Sequence, residues 1–435
     1  MFENKKVLVA GMKASGISAS YLLKKNGAQV FCYDDNKKIS VSGLTFILEI
    51  TPEIVSSFDF VVVSPSISLK HVLIKYCAEK KVKVIEELEL GCMLLDCPKI
   101  MVTGTNGKTT VVTMIEKLLN NSGLRARAMG NIGYPVSQIV LDGVSMDYAV
   151  IEVSSFQLEH VERIKAHISA ILNVAPDHLD RYDGYSDYVD TKKKICLNQT
   201  PDDYLIFNNE DGIARSFALC TKAKKIPISA TKQMSDVYIK NGYFMLKDKP
   251  LCSVKCCKLR GEHNKFNLLV ALNIGNICGA KSDAMIKLIR EYALLPNRIE
   301  YVSTINGKNY YNDSKGTNMH ACRFAIESMD GSVGLIMGGS DKNEDFCDFF
   351  ENIDEKVKYV AVTGANAVKI FNSAMKMGFQ NIVVTDTLQD AVNYLSRQKD
   401  ISNVLLSPCC ASFDRYKNYT ERGEKFKEAV YAVKI

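Results

Sequence analysis

The run Val102-Thr103-Gly104-Thr105-Asn106-Gly107-Lys108-Thr109-Thr110 gathers residue types that bind phosphate. Two glycines let the backbone approach an anion closely, Lys108 can reach terminal phosphates, and the Thr109 hydroxyl can ligate Mg²⁺. Gly104, Thr105, Asn106, Gly107 and Thr110 complete the candidate loop. Ile100 and Met101 lead into it, and Val111, Val112, Ile115, Leu118 and Leu119 follow at helical spacing until Asn120-Asn121-Ser122-Gly123. Strand, glycine turn and helix N-terminus in succession aim main-chain N–H groups at an anion. The common spacing asks for a further glycine at position 102, where this chain has valine, so only the short G-x-x-G-K-T form is present. A plain turn before a capped helix is the competing structural reading; the flanking strand and helix favour a nucleotide.

Glu152 ends an apolar strand, Tyr148–Val153, and a carboxylate there suits nucleotide-bound Mg²⁺. His178 follows a second apolar run, Ile168–Val174, within Asp177-His178-Leu179-Asp180-Arg181, where a second metal or acid–base work is expected. Ser186 is placed to cap a helix that carries Tyr188 and Lys192 on one face. On composition, Lys192-Lys193-Lys194 reads as a solvated face. Lys192 can line a metal site only as a neutral amine or after conversion to an anion.

Farther along, Asn312-Asp313-Ser314-Lys315-Gly316-Thr317-Asn318, Gly338-Gly339-Ser340-Asp341-Lys342 and Leu406-Ser407-Pro408-Cys409-Cys410-Ala411-Ser412-Phe413-Asp414 each follow an expected strand. Three polar strand ends in one α/β unit predict a shared rim, which Lys315 and Lys342 would make attractive to carboxylates or phosphate.

These residues need a scaffold, and 435 residues suggest about three domains of ~150 each. Strand and helix alternate over the first 93 residues: Lys6–Ala10, a turn from Gly11 to Gly16, a helix over Ser18–Lys25, Gln29–Tyr33 ending at Asp34-Asp35, then Phe60–Val63. The acidic pair lies ~20 residues beyond the turn, where a ribose is commonly met. The turn lacks G-x-G-x-x-G, which disfavours NAD; another nucleotide held through Ser15, or a packing turn, remain open. The pattern restarts near 94 and again near 298. Val237–Lys240 and Tyr243–Leu246 flank Asn241-Gly242 as a hairpin, and a terminal helix is expected over about Asp414–Val433.

The net charge of +6 is small for this length, so nucleic acid is not an expected partner. No apolar run approaches the ~20 residues of a membrane span, and the opening Met1-Phe2-Glu3-Asn4-Lys5-Lys6 has no signal-peptide pattern. A cytoplasmic protein is expected. Fourteen scattered cysteines read as buried thiols.

Taken together, Thr103–Thr110 and Asn173–Arg181 resemble the Mur ligase family. The runs Glu152-Val153-Ser154-Ser155-Phe156-Gln157-Leu158-Glu159 and Asp313–Asn318, with the Ser407–Gly423 segment, are similar to its D-glutamate-adding member. The resemblance covers essentially the whole chain. It implies a Rossmann-like UDP-sugar domain (1–93), a central P-loop ATPase-like domain with a mostly parallel sheet (94–297), and a Rossmann-like amino-acid domain (298–435). It implies that ATP phosphorylates the carboxylate of UDP-N-acetylmuramoyl-L-alanine and that the D-glutamate amine attacks the acyl phosphate, with two Mg²⁺ ions and a monomeric enzyme. Lys108 would stabilise the transferred phosphoryl group. Thr109 and Glu152 would hold one ion, and His178 the other with Lys192 as its carbamate. Asn264, Asn267 and Arg298 would contact ATP. Ser15, Asp34, Asp35, Asn131 and Ser154 would meet the UDP-sugar, and Lys315, Thr317, Lys342, Ser412 and Tyr419 the D-glutamate. Departures are Ser66 after Ser64-Pro65, where glycine is usual, Gly316 for alanine and Tyr419 for phenylalanine. A sister ligase adding L-alanine and an inactive nucleotide-binding regulator are the alternatives.

Overall fold

A computed structural model describes residues 1–177, 181–259, 261–293, 295–341 and 344–433. By its contacts the chain forms two compact units, Met1–Cys257 with Phe266–Arg290, and Lys258–Lys265 with Glu291–Ile435. His178 and Lys342 lie outside the described residues.

In the first unit, β1 (Lys6–Ala10), β2 (Gln29–Tyr33), β3 (Thr45–Phe46), β4 (Phe60–Val63) and β5 (Lys83–Glu86) form a parallel sheet in the order β3-β2-β1-β4-β5. Its central strands are apolar throughout because both faces are covered. Val7 and Val9 pack into one layer, while Leu8 and Ala10 pack into the other. The helix Ala14–Lys25 begins four residues earlier than its apolar pattern indicates, so Ser15 sits in its first turn.

A second parallel sheet follows, built from β6 (Lys99–Thr103), β7 (Ala126–Gly130), β8 (Tyr148–Glu152), β9 (Ile168–Ile171), β10 (Tyr204–Asn208) and β11 (Lys224–Ile228). Its order is β11-β10-β9-β6-β8-β7. The strands β9, β6 and β8 are parallel neighbours, so the phosphate loop, Glu152 and the segment from β9 to Asp177 lie at the same end of the sheet. The hairpin β12 (Val237–Lys240) and β13 (Tyr243–Leu246) is present, and a third antiparallel strand, β14 (Lys249–Ser253), extends it.

In the second unit, β15 (Glu300–Ile305), β16 (Lys308–Asn312), β17 (Val333–Met337), β18 (Val357–Val362), β19 (Ile382–Val384) and β20 (Asn403–Leu406) run in the order β15-β16-β20-β17-β18-β19. Only β15 is antiparallel to its neighbour. The expected terminal helix is shorter than the sequence reading gave. It spans Tyr419–Tyr431, and the Asn418 side chain caps it by accepting from the Glu421 amide at 3.0 Å. Asp414 is not helical; its Oδ2 accepts from the Ala365 amide at 3.0 Å.

Candidate active site

The phosphate loop has the strained geometry its glycines permit. Gly104 has φ +154° and Gly107, at the N-cap of the helix Lys108–Asn121, has φ +87°. A Cβ at Gly107 would stand 2.8 Å from Asn267 Oδ1, so a side chain is excluded by neighbour as well as by backbone. Asn173 clamps the loop: its Oδ1 accepts from the Asn106 amide at 2.9 Å and its Nδ2 donates to the Asn106 carbonyl at 3.1 Å. The Thr105 hydroxyl donates to the Ala175 carbonyl at 3.1 Å and accepts from the Ala175 amide at 2.9 Å. It also lies 3.1 Å from the Tyr188 hydroxyl. The loop and the segment after β9 are therefore one hydrogen-bonded piece.

Two amines converge on one carbonyl at its base. Lys108 Nζ donates to Gly104 O at 2.7 Å and to Thr105 O at 2.9 Å, and Lys192 Nζ donates to Gly104 O at 3.4 Å. Lys192 is 1% exposed and its amine lies 4.7 Å from the Tyr188 ring centre. This corrects the compositional reading of a solvated face. The helix Tyr185–Lys193 turns Tyr188 and Lys192 inward. Lys193 pairs with Asp190 at 2.7 Å, and Lys194 Nζ donates to Glu159 O at 2.6 Å. Ser186 does not cap this helix; Gly184 occupies that position. Burial, and then the neighbouring Lys108 charge, push the Lys192 amine well below the ordinary lysine range, with Asp177 opposing.

Glu152 is 3% exposed. Asn131 Nδ2 donates to its Oε1 at 2.8 Å, while its buried Oε2 has no hydrogen-bond partner. An orphaned carboxylate oxygen beside a phosphate loop fits a divalent cation, for which hard oxygen donors are the natural ligands. Asn131 thus stands against Glu152.

In the first sheet, Asp34 Oδ2 accepts from the Met12 amide at 2.7 Å, and Asp35 is bound by Tyr33 at 2.9 Å and His71 at 3.1 Å. Asp34 therefore braces the Gly11 turn, while Asp35 is tied to Tyr33 and His71. Ser64 and Ser66 hydroxyls lie 2.7 Å apart, and a Cβ at Gly11 would meet both, at 2.1 and 2.8 Å. The Ser66 departure thus packs against the turn. Ser154 is held by Gln157 Oε1 at 3.1 Å.

In the second unit the three polar strand ends follow the adjacent strands β16, β20 and β17, as a shared rim requires. Arg422, which sequence reasoning passed over, ties them together. Its guanidinium is 2% exposed and donates to Ser314 Oγ (3.0 Å), Ser314 O (2.8 Å), Cys410 O (3.0 Å), Ala411 O (3.3 Å) and Gly338 O (3.4 Å). Nothing in the local sequence marks Arg422; its partners are carbonyls and a hydroxyl 11 to 108 residues away. Lys315 Nζ lies 4.0 Å from the Tyr419 ring centre. Thr317 is partly exposed and Ser412 buried. Burial raises the Asp313 carboxyl to about 7 against the lowering effects of Ser407, Arg298 and Arg422. Arg298 is partly exposed, and Asn264 and Asn267 are buried.

The residues 102–275 match the Mur ligase middle domain and residues 297–410 match the Mur ligase glutamate ligase domain. The chain belongs to the Mur ligase family. More specifically, it is 36% identical to the UDP-N-acetylmuramoylalanine–D-glutamate ligase of Caldanaerobacter subterraneus subsp. tengcongensis, over 98% of each chain. The protein of the same name from Lachnoclostridium phytofermentans is 35% identical, over 100% of this chain and 99% of its own. Among solved structures, MurF of Thermotoga maritima in complex with ADP aligns with TM-score 0.63 at 16% identity, over 99% of this chain and 96% of that one. UDP-N-acetylmuramate-alanine ligase MurC of the same organism gives 0.60 at 15% identity, over 99% and 100%. These structures share the multi-domain α/β fold.

Proposed function

We propose that the protein is an ATP-dependent ligase that joins D-glutamate to UDP-N-acetylmuramoyl-L-alanine, yielding ADP and phosphate, in peptidoglycan precursor synthesis. The observation that carries this reading is the set at the base of the phosphate loop: Lys108 and the buried Lys192 both donate to the Gly104 carbonyl, and Glu152, with one orphaned oxygen, ends the neighbouring strand β8. It stands in a chain whose relatives along nearly its whole length bear that ligase name.

Transfer between anions needs concentrated positive charge and alignment more than covalent help. Gly104, Thr105, Asn106, Gly107 and Thr110 cradle the phosphates of ATP, with Asn264, Asn267 and Arg298 on its nucleoside side. Lys108 stabilises the phosphoryl group as it passes to the substrate carboxylate. D-Glutamate, held by Lys315, Thr317, Lys342, Ser412 and Tyr419, then attacks the acyl phosphate through its amine, and the tetrahedral intermediate collapses to the amide. Ser15, Asp34, Asp35, Asn131 and Ser154 serve the UDP-sugar.

Thr109 and Glu152 would hold one Mg²⁺, and His178 with carbamylated Lys192 a second; bound there, the ions neutralise charge on the phosphate oxygens. The depressed Lys192 amine suits carbamylation, because only a neutral amine captures CO₂. We assign the three domains as 1–93, 94–297 and 298–435, and the protein as a cytoplasmic monomer. Among the described residues no helix is long and apolar enough to cross a membrane.

Phosphate release is expected only when UDP-N-acetylmuramoyl-L-alanine and D-glutamate are both present. Equal release from L-alanine with UDP-N-acetylmuramate would replace this reading with the sister ligase. Absence of any turnover with every amino acid would replace it with a nucleotide-binding regulator.

A further inference from the structure

Away from the phosphate loop, Glu86, the last residue of β5, occupies the N-cap of the helix Glu87–Met93 yet makes no capping bond. Its side chain turns into the protein, where it is fully buried and neither carboxylate oxygen has a hydrogen-bond partner. The His160 amide faces it without closing a hydrogen bond. Beside it, His160 Nε2 is also buried and partnerless. Glu159 completes the group: one ligand atom from each of Glu86, Glu159 and His160 lies within 4.8 Å of the others. Arg181 grips Glu159 through both oxygens, at 2.7 and 2.8 Å, which fixes the carboxylate while leaving lone pairs on each oxygen.

We propose that Glu86, Glu159 and His160 form a divalent transition-metal site, of the Zn²⁺ type, that pins the end of β5 to the segment following β8. One nitrogen and two oxygens suit Zn²⁺ better than Mg²⁺, which favours oxygen and water. Ligands about 2.0–2.2 Å from an ion stand somewhat closer together than these three, so a modest inward movement of the side chains would bring all three into bonding range, with a fourth position left for water. Burial, reinforced by the Glu159 charge, raises Glu86 well above the ordinary carboxyl range. Arg181, Lys194 and Glu87 also face the group, the two cations opposing an ion and the carboxylate favouring it.

The test is calorimetric titration of the full-length, chelator-stripped enzyme with Zn²⁺ in excess Mg²⁺, repeated with Co²⁺ to read the ligand set by visible absorption. One equivalent is expected, with no thiolate charge-transfer band. Glu86→Gln and His160→Gln should each weaken it at least tenfold and abolish the Zn²⁺-dependent rise in melting temperature. Should Glu86→Gln fail to fold, His160→Gln carries the test alone. No Zn²⁺ uptake overturns the proposal. So does uptake unchanged in the variants, or uptake lost instead in Glu152→Gln or showing a thiolate band.

Discussion

Lys192→Ala separates the proposed carbamate from a merely buried lysine. The truncation withdraws three buried methylenes, about 2.4 kcal/mol at ~0.8 kcal/mol each. It also removes an amine whose acceptor, Gly104 O, is 3.4 Å away and which stands beside Lys108. Relief of a poorly satisfied buried polar group returns roughly 1–3 kcal/mol. The two terms nearly cancel, so the variant is expected to keep its fold, with a stability change of about 1 kcal/mol in either direction. Activity should respond very differently. Loss of an oriented charged group from a phosphoryl-transfer site costs roughly 10²–10³ in rate, or about 3–4 kcal/mol of transition-state stabilisation.

Phosphate release measured with and without millimolar acetate or formate reads this split, because a short carboxylate can enter the vacated space and supply the missing oxygens. Partial rescue in Lys192→Ala is expected. With ¹³C-bicarbonate, a carbamate resonance should be present in the wild type and in Lys193→Ala, and absent from Lys192→Ala. Wild-type rates in Lys192→Ala, or a carbamate signal that survives it, would refute the reasoning.

Three further outcomes are expected. Lys108→Ala should lower turnover by at least 10² while leaving the far-ultraviolet circular dichroism unchanged, and unaltered turnover would remove Lys108 from the mechanism. Gly107→Ala places a Cβ at φ +87° and 2.8 Å from Asn267 Oδ1, so about 1–3 kcal/mol of strain should fall on the loop and raise KM for ATP about tenfold or more; an unchanged KM would show that the loop relaxes freely. For Asp313, the folded value of about 7 lies above the ordinary 3.8, so the folded state keeps a proton that the unfolded chain releases. Its contribution is therefore most favourable below pH 4, falls between about 4 and 7, and is level above 7. Relative to Asp313→Asn, wild-type stability in urea should fall by roughly 4 kcal/mol across that window, and a flat difference would refute the assignment.

The sequence showed the parallel strands clearly because strands covered on both faces are continuously apolar, as in Val61-Val62-Val63 and Ile100-Met101-Val102. The β12–β13 hairpin was equally legible, since Asn241 and Gly242 both take positive φ. The next turn was not: Lys247 and Asp248 adopt φ +45° and +66° without a glycine, and the following strand contains Pro250, so β14 left no signal. The terminal helix was overextended because Asp414–Asn418 holds no glycine or proline to stop a helix, whereas tertiary bonds from Asp414 and Arg415 hold it otherwise. Burial of Lys192 was invisible in a row of three lysines. It depends on a helix face defined by Tyr188 and on two partners, Gly104 and Lys108, more than eighty residues away in the chain.

Position 102 joins these observations. Its valine interrupts the longer phosphate-loop pattern, but it is a fully buried residue of β6 whose register places it opposite Glu152 of β8. The Val102 carbonyl accepts from the Val153 amide at 2.9 Å, and the Thr103 hydroxyl donates to the Val153 carbonyl at 2.9 Å. A glycine at 102 would weaken a central strand at the one place where the loop and the candidate metal carboxylate are aligned. The shortened motif therefore moves the start of the turn to Gly104 and keeps the strand intact up to Thr103. That arrangement keeps Glu152, with its orphaned oxygen, in register with Val102, two residues before the Gly104 carbonyl that Lys108 and Lys192 share.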